Sequence, residues 1–291
     1  MSSTASEAEQ QQKCGAGTRA VDGGIPVARS PRDPPALAGI TAVRGILDGA
    51  SSRVLARVAA GWRYADALAD ARARGIAGAD PERGVSGQDA ADGLRVLAWL
   101  AFGVAAEAVP VRRRGIAAGA ERLARAAAAS GGVLRLVAEC VRTADGVAAS
   151  VEPTIVAPGS VLGRSVPGET AVLVESAPNG TVRRVGSAAA AAALLGEMAR
   201  GGPGLPRPAA AHVDRRAHRW VLAAAGRCAG DEFLARTLAR AGIVAESVAR
   251  GDGEVYVRTA PHPWTRVDLA SRMLESSGCA PAVARLETER D

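Results

Sequence analysis

The sequence predicts an α+β protein: a mixed sheet with helices against it, followed by a smaller β-α-β-β-α-β unit of the ferredoxin-like kind. Three observations lead there. Apolar residues recur at helical spacing through the first half, up to about Ser130. From Val133 the period changes to alternation, interrupted by Asx-Gly turns. After the Pro- and Gly-rich stretch "GGPGLPRPAAAHVDR" (residues 201–215), strand and helix patterns follow one another to the end.

The elements follow in order. Residues 1–20 are polar and read as a disordered tail, and "GGIPVARSPRDPPALAG" (23–39) is broken by proline and glycine. Ala42–Arg74 reads as helical, with Val54, Val58, Ala65, Leu68 and Ala69 in phase. The loop "GADPERGVSGQDAADGL" (78–94) comes next. Helices are expected over about Gln88–Glu107 and Ala117–Ser130. "VLRLVAECV" (133–141) and "VAASVEPTIV" (147–156) form a hairpin closed near Asp145-Gly146, with Leu134, Leu136, Ala138 and Cys140 on one face. "TAVLVES" and "TVRRVG" repeat the pattern around Asn179-Gly180, and residues 187–201 read as a helix. In the last unit, strands are read at 218–226, 245–251, 254–259 and 280–287. Helices are read at 231–243 and 264–278. The length suits about two domains. We place a tail at 1–20, a first domain at 21–206, and a linker with a second domain at 207–291.

Composition narrows the function classes. The chain is 48% hydrophobic and 23% charged, enough to bury a core, but only 3% aromatic. Few aromatics leave no stacking platform for single-stranded nucleic acid. The formal charge is +6, yet the arginines are scattered apart from Arg112, Arg113 and Arg114, so no nucleic-acid partner is expected. Lys13, in the tail, is the lone lysine. Arginine does not replace a titratable ammonium in proton chemistry. Cys14, Cys140, Cys228 and Cys279 are far apart, which argues against zinc and against a disulfide framework; Cys140 reads as core. His212, His218 and His262 lack metal-ligand spacing. The N-terminus has no apolar h-region, and the apolar run Val96–Ala106 is too short for a bilayer. A cytoplasmic protein without membrane partners or a metal is expected.

The ordered motifs resemble the homoserine dehydrogenase family over roughly residues 20–287. "GGIP" (23–26) matches a motif at the family's domain junction. "RGILDGASSRVL" (44–55) looks like "EGILNGTTNYIL", and "ADPERGVSGQDAADGL" (79–94) looks like "ADPTLDVEGYDAAHKL". "LRLVAECVRTADGVAASVEPTIV" and "GETAVLV" match the family's hairpin region. The resemblance implies a catalytic and dimerisation region followed by an ACT-like domain. It also implies NAD(P) held by an N-terminal Rossmann domain. The residues before Gly23 leave no room for one, and no strand–GxGxxG–helix pattern is present. No cofactor is therefore expected unless a partner protein supplies that domain.

The departures fall on the chemistry that the resemblance implies. The family's glutamate for the substrate amine is Gly78 here. Its mid-loop aspartate is Gly84, and its proton-transfer lysine is Gly93. Asp89 survives and is the candidate catalytic residue. Asp48, Ser51, Asp80, Glu82 and Asp89 are the candidate ligand-binding residues. The glycines of "GPGAG" have become "VGSAAAAA" (185–192). In the ACT-like unit the turn "AGRCAGDEF" makes Gly226, Gly230 and Asp231 the candidate effector site. The favoured reading is a non-dehydrogenase relative, an amino-acid-binding or scaffold protein acting as a homodimer. Two alternatives stand beside it: an enzyme repurposed to an amino-acid-like substrate in the old pocket, and a dehydrogenase half that needs a Rossmann-bearing partner.

Overall fold

The computed structural model describes residues 19–21, 25–27, 39–77, 80–117, 119–176, 181–186, 193, 211–214, 216–251 and 253–287. Strands β1 (Arg19–Val21) and β2 (Ile25–Val27) pair antiparallel by themselves. β1 therefore takes in the last residues of the expected tail. β3 (Ile40–Ile46) is followed by α1 (Gly49–Ala59), α2 (Tyr64–Ala73), α3 (Pro81–Val85) and α4 (Gln88–Phe102). Then come β4 (Val111–Arg113), α5 (Ala120–Ala129), β5 (Val133–Thr143), β6 (Gly146–Val156), β7 (Ala171–Ser176), β8 (Thr181–Gly186) and β9 (Ala211–Val213). The last unit holds β10 (Ala217–Ala225), α6 (Asp231–Arg240), β11 (Ala245–Gly251), β12 (Glu254–Thr259), β13 (His262–Pro263), α7 (Trp264–Ser276) and β14 (Ala282–Leu286).

Three sequence expectations need correction. Ala42–Ile46 is a strand, not the start of a helix. It lies inside the sheet between β5 and β7, where the ladder on both sides overrides a helical spacing. Gly45 suits that place: a Cβ there would stand 2.4 Å from the Ala171 carbonyl oxygen. The second helix stops at Phe102, because Gly103 turns left-handed (φ 69°) and caps it. The stretch 201–215 is not wholly a linker, since 211–213 form β9. The Asn179-Gly180 turn lies outside the described residues, as does the helix expected at 187–201 apart from residue 193.

The main sheet runs β11-β12-β10-β14-β6-β5-β3-β7-β8. The hairpin β5–β6 is its backbone, in unbroken register from Val133↔Val156 to Thr143↔Gly146. Along its other edge β6 meets β9, β4 and β14 in turn, all parallel. The last unit orders its strands β11-β12-β10-β14 with antiparallel pairing, so its βαββαβ sequence closes in the ferredoxin-like arrangement. Because β14 also pairs with β6, the two sheets are continuous.

Helices α1, α2, α4 and α5 cover one face. Leu134, Leu136, Ala138 and Cys140 of β5 enter that core together with Leu94, Leu97, Ala98 and Ala101 of α4. α4 is buried on most sides, with Leu94, Leu97, Trp99, Leu100 and Phe102 among its buried residues. The opposite face of the hairpin is closed by the chain itself. Val137, Val156 and Leu173 pack with Leu162, while Arg135 donates to the carbonyls of Leu162, Gly163 and Ser165. Beside them lies a buried charge network. Glu139 receives Arg44, Arg216 and Arg285 at 2.9, 2.8 and 2.7 Å. Burial alone would push the Glu139 carboxyl up, but these three cations hold it well below the usual carboxylate range.

A second ionic seam joins α5 to β12. Arg122 and Arg125 reach Glu254 at 3.1 and 2.6 Å, and Arg122 also donates to the Ala280 carbonyl. Desolvation would raise the Glu254 carboxyl, but hydrogen bonds from Arg125, Tyr256 and Arg122 bring it down to about 2. A carboxyl depressed from 4.5 stabilises the fold above that pH and loses its contribution as pH falls toward 2. Acid titration is therefore expected to lower stability between about pH 4.5 and 2. Glu254→Gln should flatten that slope in urea melts taken at each pH. An unchanged slope would show that Glu254 carries none of it.

The cysteines also need correction. Cys228 and Cys279 are joined as a disulfide across 51 residues, within the core of the last unit. Cys140 is free and buried, as expected of a core residue.

Candidate functional site

The loop after α2 is built from two helix starts. Asp80 caps α3, accepting from the Glu82 N–H at 3.1 Å, with Pro81 at the first helical position. Gly87, at φ 78°, turns the chain into α4. Asp48 caps α1, its carboxylate accepting from the N–H groups of Ala50 and Ser51 at 3.2 and 2.6 Å. Ser51 is buried, and its hydroxyl donates to the Asp48 carbonyl at 3.2 Å.

α3 lies against the start of α1. A Cβ on Gly84 would stand 3.1 and 3.3 Å from the two Asp48 carboxylate oxygens and 3.3 Å from the Ala50 methyl. Arg83 turns the other way. Its Nε donates to Asp89 at 2.8 Å and its Nη2 to Asp92 at 2.9 Å. Asp92 also accepts from Gln88 and Arg95 at 2.8 and 2.7 Å. The carboxylate of Asp89, with that of Asp92 next to it, raises the Arg83 guanidinium pKa. The loop is thus held by an arginine clamp between two aspartates.

The candidate residues fare differently. Asp48 and Ser51 come together at the start of α1, and Gly84 joins them. Asp80 serves as a helix cap. Glu82 is exposed, with Arg72 3.8 Å away. Asp89 belongs to the Arg83 clamp. Gly93 is buried within α4. Gly78 and the stretch 187–192 lie outside the described residues.

In the last unit, Gly226 (φ 63°) opens a 3-10 turn over Gly226–Ala229, and Gly230 precedes α6. Gly230 has φ −66°, which any residue adopts, so the left-handed conformation falls on Gly226 alone. Asp231 is the first residue of α6, and its side chain lies outside the described residues. The turn is tied to the end of α7 by the Cys228–Cys279 disulfide. A groove of about 540 Å³ nearby is lined by Phe233, Ser276, Ser277 and Gly278.

Arg83 was not legible as a functional residue, because its partners stand six and nine positions away and its neighbours give no pattern. Asp48 and Asp80 carried a local signal, an Asp immediately before a helical run. Among the described residues no group of three His, Cys, Asp or Glu is placed to hold a metal. No described helix is long and apolar enough to cross a membrane.

The fold is of the α+β class, with an acidic loop of capped helix starts beside the sheet. The family model for homoserine dehydrogenase matches residues 26–198, and the chain belongs to that family. The homoserine dehydrogenase of Mycobacterium tuberculosis (strain ATCC 25618 / H37Rv) is 36% identical over 191 residues, 62% of this chain and 43% of that protein. The Corynebacterium glutamicum homoserine dehydrogenase is 32% identical over 189 residues, 62% of this chain and 42% of that protein. The matches thus span less than half the length of these relatives. A homoserine dehydrogenase structure from Thiobacillus denitrificans superposes with a TM-score of 0.68 at 24% identity, covering 86% of this chain and 64% of that one. The S. aureus homoserine dehydrogenase at pH 7.5 gives 0.65 at 21% identity, covering 89% and 66%. These likenesses establish the fold.

Proposed function

We propose that this chain, by itself, is a non-dehydrogenase member of the family, an amino-acid-binding or regulatory protein that keeps the scaffold and not the hydride chemistry. The loop carries this reading. Hydride transfer from a carbinol needs a group free to take its proton. Asp89, the charged residue that the family resemblance leaves in the loop, is committed to Arg83. Arg83 itself stands where the family motif has an apolar leucine. Gly93 stands where the family motif has its lysine, and Gly84 where it has its aspartate. One negative charge has in effect moved from position 84 to Asp48, where the family motif has asparagine. Asp48, Asp80, Glu82 and Asp89 are each used in a cap or an ion pair, which weakens the repurposed-enzyme reading built on them. Division into a first domain at 21–206 and an ACT-like second domain from 207 belongs to this proposal. So does a homodimer, since the edge strand β11 is exposed along its length and carries Val248. Light scattering tests the dimer.

The purified chain is expected not to oxidise homoserine or reduce aspartate semialdehyde, as followed by absorbance of reduced nicotinamide. Gly93→Lys should not rescue it. Gly84→Asp should lower stability by about 1–3 kcal/mol, because it crowds the Asp48 carboxylate. Wild-type turnover abolished by Asp89→Ala would make this loop an active site and overturn the reading. Turnover that appears only with an added Rossmann-domain protein would establish the split enzyme instead.

A further inference from the structure

The run Arg112–Arg113–Arg114, at the end of β4 and just past it, sends its side chains to three places. Arg112 enters the buried network, 2.9 Å from Glu152 and 3.3 Å from Asp214. Arg113 donates to the Ser86 carbonyl at 3.0 Å. Arg114 has no such partner. Its guanidinium sits 4.5 Å above the Trp264 ring centre, and its Nη1 is shut from solvent without a hydrogen bond. A buried donor left unpaired is costly, and a cationic one more so. Burial pushes this guanidinium down to about 10, against the opposing pull of the Glu152, Asp268 and Glu275 carboxylates.

Arg114 borders a cavity of about 290 Å³ between the first part of the chain and the last unit. Across it stands α7, with Trp264, Asp268, Ser271 and Glu275 along the wall. Positions 268, 271 and 275 share one helix face. Asp268 holds Arg272 at 2.8 Å, and Glu275 makes no ion pair with a described residue. The cavity thus has the Arg114 guanidinium, stacked on the Trp264 ring and with one donor unbonded, together with two carboxylates, of which Asp268 is shared with Arg272. Its volume is at the lower end of ligand pockets, which run from about 300 to 1,000 Å³, so it suits a small metabolite and excludes a dinucleotide.

We propose that this cavity binds a small zwitterion of the α-amino acid class, with the carboxylate on Arg114 and the ammonium facing Asp268 and Glu275. A carboxylate supplies the charge-assisted acceptor that Nη1 lacks. An ammonium offsets the acidic wall, and the indole face of Trp264 adds an apolar side. The inference builds on the amino-acid-binding part of the proposed function and gives it a place distinct from the turn at Gly226–Asp231. That place also adjoins the candidate loop, since the Ile116 N–H donates to the Val85 carbonyl at 2.9 Å.

The test is calorimetric titration of the full chain with each proteinogenic amino acid, and with the matching 2-oxo acids as anions lacking the ammonium. At least one amino acid is expected to bind with Kd below about 1 mM. Arg114→Gln and Glu275→Gln should each weaken it at least tenfold, and the 2-oxo acid should bind at least tenfold more weakly. Phe233→Ala, in the groove beside the turn, should leave binding unchanged. Glu275 is exposed, so its variant keeps the test valid even if Arg114→Gln does not fold. Loss of binding in Phe233→Ala with retention in Glu275→Gln would overturn the cavity site while leaving the amino-acid-binding reading intact. Equal binding of the 2-oxo acid, or no binding by any amino acid, would overturn the proposal.

Discussion

Replacing Glu139 by glutamine is expected to destabilise the protein by about 3–5 kcal/mol, the cost of breaking a buried ion pair. The glutamine keeps the shape, so the change isolates the charge. Three arginines lose their common anion. Arg44 retains Glu287 at 2.9 Å, and Arg216 retains Asp214 at 3.0 Å. Arg285 suffers most: it is 2% exposed, and its remaining carboxylate, Glu152, is 3.6 Å away. Its strand, β14, is the one that ties the last unit to β6. Urea unfolding should show the loss, with the last unit opening first. Glu246→Gln, which removes a part-exposed partner of Arg219, should cost less than about 1 kcal/mol in the same assay. A similarly small loss for Glu139→Gln would mean that the three arginines find other partners or water.

Opening the Cys228–Cys279 disulfide is expected to cost about 4 kcal/mol. That is the chain-entropy value for a loop of 51 residues. The effect should be concentrated in the last unit, because Cys228 lies in its core, Cys279 packs against that core, and the bond spans from the turn before α6 to just past the end of α7. Cys279→Ser in non-reducing buffer and wild type in reductant should show the same lowered urea midpoint. Reductant should then have no further effect on the variant. A wild-type midpoint indifferent to reductant would show that the bond contributes nothing to stability in solution.

Much of the fold was legible because it rests on short-range patterns. The alternation of Leu134, Leu136, Ala138 and Cys140, with Asp145-Gly146 at the turn, determined the hairpin. The order of elements after residue 216 determined the ferredoxin-like unit, whereas the starts of α1 at Gly49 and of α3 at Pro81 were not read, since 42–74 read as one helix and 78–94 as a loop. Family membership was also legible, because ordered motifs survive substitutions between them. Other features were decided by tertiary structure alone. Ala42–Ile46 became a strand because β5 and β7 flank it, a fact outside any local window. The Arg83 clamp, the contact of Gly84 with Asp48, the Cys228–Cys279 bond and the Arg114 cavity all depend on which distant segments meet. The Glu139–Arg285 pair joins residues 146 positions apart. Sequence spacing reports the neighbours a helix or strand creates within itself; packing chooses the rest, because burial leaves a charge or a thiol only the partners that the fold brings to it.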